Sequence, residues 1–331
     1  MNCDPPFLET YNTLLQNSLG GIRSIDKPSM VVERCELPLI DLGRMNPCYP
    51  EREECMKEIA EAARQWGFFQ VVNHGISPEL LESLQVEQNK VFHRTFDDKS
   101  EENFLNLSAK SYRWGNPSAT NLRQIPWSEA FHISLLDIAR MEQHKSLRSK
   151  IGAFATTAAH LAETLAEILA QKLNIKSGYF QENCLPNTSF VRLNRYPSCP
   201  IPSKVFGLLP HCDSSFLTIV YQDQVGGLQL LKDGKWVGVN PNPQALIVNI
   251  GDLFQAISNG VYKSIKHRVA ASDKVERFSM AYFYCPSNEA VIQSYGTPAM
   301  YRKFTFREYK QQTEKDVKDT GDKVGLSRFL S

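Results

Sequence analysis

His211-Cys212-Asp213 places an imidazole and a carboxylate two residues apart, and a second imidazole, His267, follows further along the chain. In an extended segment alternate side chains share a face, so His211 and Asp213 can address one ion while Cys212 points away. Two imidazoles and one carboxylate can cap one face of an octahedral ferrous ion and leave three positions open. Zinc would accept the same donors, and Cys212 could offer a thiolate. A hydrolytic zinc site would still need a base to activate water, and the chain holds no helical H-E-x-x-H.

Arg277-Phe278-Ser279 tips the choice toward iron and leaves zinc hydrolysis as an alternative. The arginine and the serine fall on one face of the strand after His267, a guanidinium fork and a hydroxyl suited to a carboxylate. A ligand with a carboxylate in that fork and a 2-oxo acid at its other end can chelate iron through two open positions, leaving the third for dioxygen. Such a ligand is 2-oxoglutarate.

These residues must be held by elements that the sequence also outlines. The chain has 331 residues and the length of one large domain or two intimately packed ones. Lys plus Arg total 37 against 36 Asp plus Glu, so no global field draws the protein to nucleic acid or anionic lipid. The eight cysteines form no C-x-x-C pair, no secretory signal opens the chain and no apolar run is long enough to span a membrane. These features predict a cytoplasmic protein with small-molecule partners; they leave the oligomeric state open.

Residues 1–36 read as a poorly specified lead-in, broken by Asp4-Pro5-Pro6 and Lys27-Pro28. A strand at Leu37–Asp41 carries Pro38, which hints at a sheet edge. A helix from Glu51 to Trp66 stops at Gly67 and gives way to a β-prone Phe68–Val72. The next helix opens with Ser77 as cap and Pro78 at its first position. His74 and His93 read as structural or solvated. Ser111 to His132 shows little periodicity, so its aromatics and cations are expected in a loop. Ser146 to Leu173 is a long helix whose stripe from Leu147 through Ile151, Phe154, Ala158, Leu161 and Leu165 to Leu169 backs a sheet.

From Ser189 the texture becomes β-prone, with strands expected near Phe190–Asn194, Phe206–Leu209, Phe216–Tyr221, Leu228–Leu231, Trp236–Val239, Ala245–Asn249, Ser264–Val269 and Phe278–Tyr284. The fold class is mainly β with α, a double-stranded β-helix (jelly roll) flanked by helices. The division expected is 1–145 as an N-terminal helical and strand region, 146–173 as the backing helix, 189–290 as the catalytic core, and 291–331 as a C-terminal helix (Phe306–Lys318) and tail.

His211-x-Asp213, His267, Arg277-x-Ser279 and Asn194-Arg195-Tyr196-Pro197-Ser198-Cys199 together resemble the plant soluble 2-oxoglutarate- and iron(II)-dependent dioxygenases. Leu37–Asp41 and Trp66–Gly75 resemble that family's N-terminal signature, so the similarity spans nearly the whole chain. It implies iron(II), 2-oxoglutarate and dioxygen as reactants, with His211, Asp213 and His267 on the metal. It also implies that Arg277, Ser279, Tyr196 and Asn194 hold the co-substrate. Within the family, Ser111–Thr120, Trp127–His132, Asp252–Ala256 and Lys323–Leu326 look most like gibberellin 2-oxidases of the group acting on twenty-carbon gibberellins. A gibberellin is an apolar ring system bearing a carboxylate, so the resemblance implies a pocket with aromatic walls and a cation. Phe131, Phe283, Trp114 and Trp127 are the candidate walls; Arg192, in phase with Asn194 on one strand, is the first candidate cation and Arg123 the second. Carbon 20 or carbon 3 oxidation, another plant small molecule, and a non-catalytic jelly-roll binder are the alternatives. Two residues depart from the family pattern: Cys212 stands where threonine is usual, and Ile257 where a larger side chain is common.

Overall fold

The computed structural model describes residues 2–19, 32–46, 48–175, 178–184 and 188–331. Two sheets face each other. The larger has eight strands in the order β2 (Leu39–Asp41), β3 (Phe68–Val72), β11 (Leu246–Ile250), β8 (Leu217–Gln222), β13 (Arg277–Tyr284), β6 (Phe190–Tyr196), β5 (Glu129–Ser134) and β4 (Tyr112–Trp114). The smaller runs β1 (Arg34–Cys35), β10 (Lys235–Val239), β9 (Leu228–Lys232), β12 (His267–Ala270) and β7 (Phe206–His211). A short pair, β14 (Val291–Ile292) and β15 (Phe304–Thr305), lies outside them. All eight strands expected after Ser189 form, and they lie in the two facing sheets of the expected jelly roll.

The outer face of the large sheet is covered by helices. Leu147, Ile151, Phe154, Ala158, Leu161, Leu165 and Leu169 of the helix Lys145–Gln171 are all buried, while His160 on the opposite face is exposed. That helix packs against β6, β8 and β13 and against the helices Arg52–Gln65 and Pro78–Phe92. Ser77 accepts from the Leu80 amide as the cap of the latter, with Pro78 in its first turn. Gly67 ends the former at φ +63, and a Cβ there would lie 2.1 Å from the Lys263 carbonyl oxygen, so no other residue fits. Pro38 precedes β2, which is indeed an edge strand.

Two stretches differ from expectation. Within residues 1–36, Phe7–Thr10 and Asn12–Leu19 are helical and Arg34–Cys35 pairs with β10; Lys27-Pro28 lies outside the described residues. Short helices this weak in propensity form because Phe7 and Tyr11 find a satellite core of Leu122, Ile125, Trp127, Cys199 and Val205. The second is Ser111 to His132, whose two ends form β4 and the start of β5 and extend the large sheet, while the residues between them are irregular as expected. The alternation was disguised because Glu129, a charged residue, faces the core. It is 1% exposed and accepts from Lys99 at 2.6 Å, Arg195 at 2.8 Å and the Tyr112 phenol at 2.5 Å.

Candidate active site between the sheets

The inner faces of the two sheets enclose a cavity with about 570 Å³ of atom-free space, open to solvent. From the small sheet come Leu208 and His211 on β7, Leu228 on β9, and His267 and Val269 on β12. From the large sheet come Arg192, Asn194 and Tyr196 on β6, Val220 on β8, and Arg277, Ser279 and Phe283 on β13.

Register explains the convergence. His211 and His267 are directly opposed across β7 and β12, so the two imidazoles meet with ring centres 4.2 Å apart. Asp213 lies just beyond the end of β7, with Oδ1 3.6 Å from His211 Nε2 and 3.8 Å from His267 Nε2. One donor atom from each of the three lies within 4.8 Å of the others, close enough to hold one metal ion. His211 Nδ1 lies 2.7 Å from the Leu209 carbonyl and His267 Nδ1 3.1 Å from that of Ile265, which puts the ring protons on Nδ1 and leaves both Nε2 lone pairs facing Asp213. Phe68 packs edge-on against His267, ring centres 5.2 Å apart.

Burial, followed by the neighbouring His267, lowers the His211 pKa and keeps its imidazole neutral. Burial would raise the Asp213 carboxyl, but His267, His211 and the Thr218 hydroxyl outweigh it and hold the group below the usual carboxylate range. Its second oxygen, Oδ2, accepts from Thr218 Oγ1 at 2.7 Å and from Asn249 Nδ2. Neutral imidazoles and an ionised carboxylate are the forms in which these groups bind a divalent ion.

Across the cavity, β13 and β6 pair Arg277 with Tyr196 and Ser279 with Asn194. Arg277 is 4% exposed, its guanidinium carbon 4.9 Å from the centre of the Tyr196 ring. Its Nη2 donates to Gln222 Oε1 at 2.7 Å, whereas Nε and Nη1 have no partner among the described residues. Buried donors left unsatisfied are costly, so they mark where a ligand's acceptors belong. Asn194 Nδ2 sits 3.4 Å from Ser279 Oγ, and Gln88 fixes the backbone behind both by donating to their carbonyls at 3.0 Å. The donor set and the orphaned fork fit iron(II) and a dicarboxylic 2-oxo acid.

Of the residues expected at the substrate, Arg192 and Phe283 line the cavity, and among the described residues no ion pair or hydrogen bond ties down Arg192. Phe283 stacks on Phe190 at 4.4 Å, and Phe190 on His132 at 4.1 Å. Four others stand elsewhere. Phe131 pairs with Leu193, one step out of phase with Arg192 and Asn194, and packs against Phe92 and Tyr112 beneath the helices. Trp127 stacks on Phe7 at 4.4 Å, and Trp114 meets Phe7 and Phe96 edge-on. Arg123 is exposed and lies over the Phe206 ring outside the cavity. Sequence reasoning passed over Thr218, Asn249, Gln222 and Phe68. Cys212 faces away, its thiol toward the Ser264 carbonyl at 3.8 Å, and burial first, then Asp252, pushes its pKa up to about 12.

The comparisons agree with this geometry. Residues 187–286 match the 2OG-Fe(II) oxygenase superfamily, and residues 37–150 match the N-terminal region described as non-haem dioxygenase in morphine synthesis. The chain is 54% identical to gibberellin 2-beta-dioxygenase 8 of Arabidopsis thaliana, covering 99% of both chains. It is 44% identical to gibberellin 2-beta-dioxygenase 6 of Oryza sativa subsp. japonica over 99% of this chain and 96% of the relative. The solved structure of JOX2 in complex with 2OG, Fe and JA superposes with a TM-score of 0.72 at 32% identity, over 89% of this chain and 91% of that one. A dioxygenase for auxin oxidation from rice gives 0.74 at 28% identity over 89% of this chain and 100% of that one.

Proposed function

The chain belongs to the 2OG-Fe(II) oxygenase superfamily and is an iron(II)- and 2-oxoglutarate-dependent dioxygenase; from that premise we propose that it hydroxylates gibberellins at carbon 2, twenty-carbon gibberellins among them. The observation that carries the reading is the pairing of one three-donor cluster with one orphaned guanidinium fork in a single cavity, in a chain whose full-length relatives are gibberellin 2-beta-dioxygenases.

In this reading His211, Asp213 and His267 hold iron(II), and Arg277 and Ser279 take the distal carboxylate of 2-oxoglutarate, with Tyr196 and Asn194 beside it. When bound, iron and 2-oxoglutarate supply the oxidation of a C–H bond by dioxygen, releasing succinate and carbon dioxide. The protein supplies position and dryness. The backbone carbonyls of Leu209 and Ile265 aim the two imidazoles. Thr218 and Asn249 occupy one carboxylate oxygen of Asp213 and leave the other for the ion. Leu208, Val220, Leu228, Ile247 and Val269 give the cavity apolar walls that exclude water. Arg192 is the cation for a substrate carboxylate and Phe283 an apolar wall for the ring system.

No helix among the described residues is long and apolar enough to cross a membrane. The eight cysteines are all unpaired, which supports a reducing, cytoplasmic setting. The test is direct. Protein loaded anaerobically with iron(II) is given 2-oxoglutarate, air and a panel of nineteen- and twenty-carbon gibberellins, and products are read by mass spectrometry. Carbon 2 hydroxylation with matching succinate is the expected result; oxidation only at carbon 20 or carbon 3, or succinate release indifferent to gibberellin, overturns it.

A further inference from the structure

Two of the segments singled out in the sequence, Asp252–Ala256 and Lys323–Leu326, have no place in the site so far. The fold brings them together behind the end of β7, where His211 and Asp213 leave the sheet. Lys323 Nζ donates to the Cys212 carbonyl at 2.7 Å and to Ser214 Oγ at 2.9 Å, and pairs with the Asp252 carboxylate at 2.8 Å. The Asp252 amide donates to the Asp213 carbonyl at 2.8 Å. Two consecutive carbonyls, those of Cys212 and Asp213, are thus held by the two members of a single ion pair.

The position matters because β7 ends at His211. Beyond it no ladder hydrogen bonds fix the peptide, yet Asp213 must present Oδ1 to the ion that His211 binds. The pair is withdrawn from water, with side chains 13% and 6% exposed. Asp252 also accepts from the Tyr309 phenol, so its carboxylate cannot turn away. The segment carrying Lys323 is anchored in turn. Phe329 packs on Phe304 and Tyr309, Leu330 bridges to Tyr301, and the Ser331 amide donates to the Met300 carbonyl at 3.0 Å. Gly325, at φ +70, lets the chain pass Asp252 where a Cβ would stand 3.3 Å from Oδ2.

We propose that Lys323, delivered by the C-terminal segment and paired with Asp252, is a positioning residue of the metal centre that fixes the Cys212–Asp213 peptide for ligation. The proposal rests on the reading of His211, Asp213 and His267 as the metal ligands. Partners behind a ligand that set its orientation change metal affinity by roughly 10–100-fold when lost.

The test titrates full-length metal-free protein with cobalt(II), followed by its absorption, alongside thermal melting. Lys323→Met combined with Asp252→Asn removes the pair without stranding a buried charge, and should weaken cobalt binding about ten-fold or more. Lys323→Arg, which keeps a donor in reach, should recover most of that loss, and the 2-oxoglutarate KM at saturating metal should stay unchanged. Wild-type affinity in the double variant overturns the proposal. So does an equal loss of affinity in Ile151→Ala, a remote core variant that is destabilised without touching the clamp. If His267→Ala binds cobalt as tightly as wild type, the ligand assignment itself has failed, and the clamp with it.

Discussion

Arg277→Met should leave the free protein about as stable as wild type while all but abolishing its affinity for 2-oxoglutarate. Among the described residues the guanidinium has one hydrogen-bond partner, the neutral Gln222, and no carboxylate within ion-pair distance. Keeping an ion buried costs several kcal/mol, even after relaxation. Removing it relieves that cost, against about 1.5–3 kcal/mol for the lost charge-assisted bond to Gln222 and some loss of contact with Tyr196. The net change in the free protein therefore lies near zero or on the stabilising side. In the complex the balance reverses. Two charge-assisted hydrogen bonds from Nε and Nη1, at about 1.5–3 kcal/mol each, amount to roughly 3–6 kcal/mol. At about 1.4 kcal/mol per decade, 2-oxoglutarate binding weakens on the order of 10²–10⁴-fold. Arg277→Lys keeps one point donor and should fall between. Calorimetric titration of manganese-loaded protein gives the affinity, and melting without ligand gives the stability. A variant that melts well below wild type when ligand-free yet binds 2-oxoglutarate within ten-fold of it would show that Arg277 is an ordinary buried structural cation.

Phe131 and Phe283 separate wall from core. Phe131→Ala should cost about 3–5 kcal/mol of stability by urea denaturation with the gibberellin KM unchanged, whereas Phe283→Ala should raise that KM at smaller cost; the reverse order would contradict the assigned strand phase. Burial, then Arg113 and Arg192, lowers the His132 pKa to about 4. Between the unfolded value near 6.5 and that value the unfolded chain binds the extra proton, so this group's contribution to stability is complete above about pH 6.5 and declines as pH falls toward 4, by at most about 3 kcal/mol. His132→Phe, which preserves stacking on Phe190, should flatten the loss of stability between pH 7 and pH 5, and an unchanged slope would refute the assignment.

The sequence was most readable where local pattern and tertiary role coincide. Phe190 to Tyr284 alternates or runs apolar between Gly, Pro and Asn, and a strand forms at each of the eight places that pattern marks. Ser77, Pro78 and Gly67 mark helix ends by backbone chemistry alone. Legibility failed where a charged residue faces inward. Glu129 sits in the hydrophobic phase of β5 because Lys99, Arg195 and Tyr112 neutralise it, and those partners are distant in sequence. The same error of phase placed Phe131 at the substrate: in a stretch taken for a loop, its aromatic ring carried no sidedness. Asn249 and Thr218 were detectable in principle. A single amide in the fully buried Leu-Ile-Val-Asn-Ile of β11, and a single hydroxyl at the buried second position of β8, must have partners, and the partner of both is Asp213.

In the proposed reading Asp213 is consequently more than one ligand of three. Its backbone follows β7 of the small sheet, yet its Oδ2 is bound by β8 and β11 of the large one, and only Oδ1 faces the imidazoles. The side chain that completes the donor set is therefore also a polar tie between the sheets. Without metal, Oδ1 sets a negative charge beside the two imidazoles inside a largely apolar cavity, and the tie works against the cost of that burial. A divalent ion at the three donors removes the cost. Metal affinity and packing of the two sheets are then linked quantities, since an ion that binds only the folded chain adds its binding free energy to folding. The fork gains from this coupling without touching the ion: Arg277 and Ser279 sit on the sheet that Asp213 draws toward the histidines, so the sheet separation that sets ligation also sets the span available to the co-substrate.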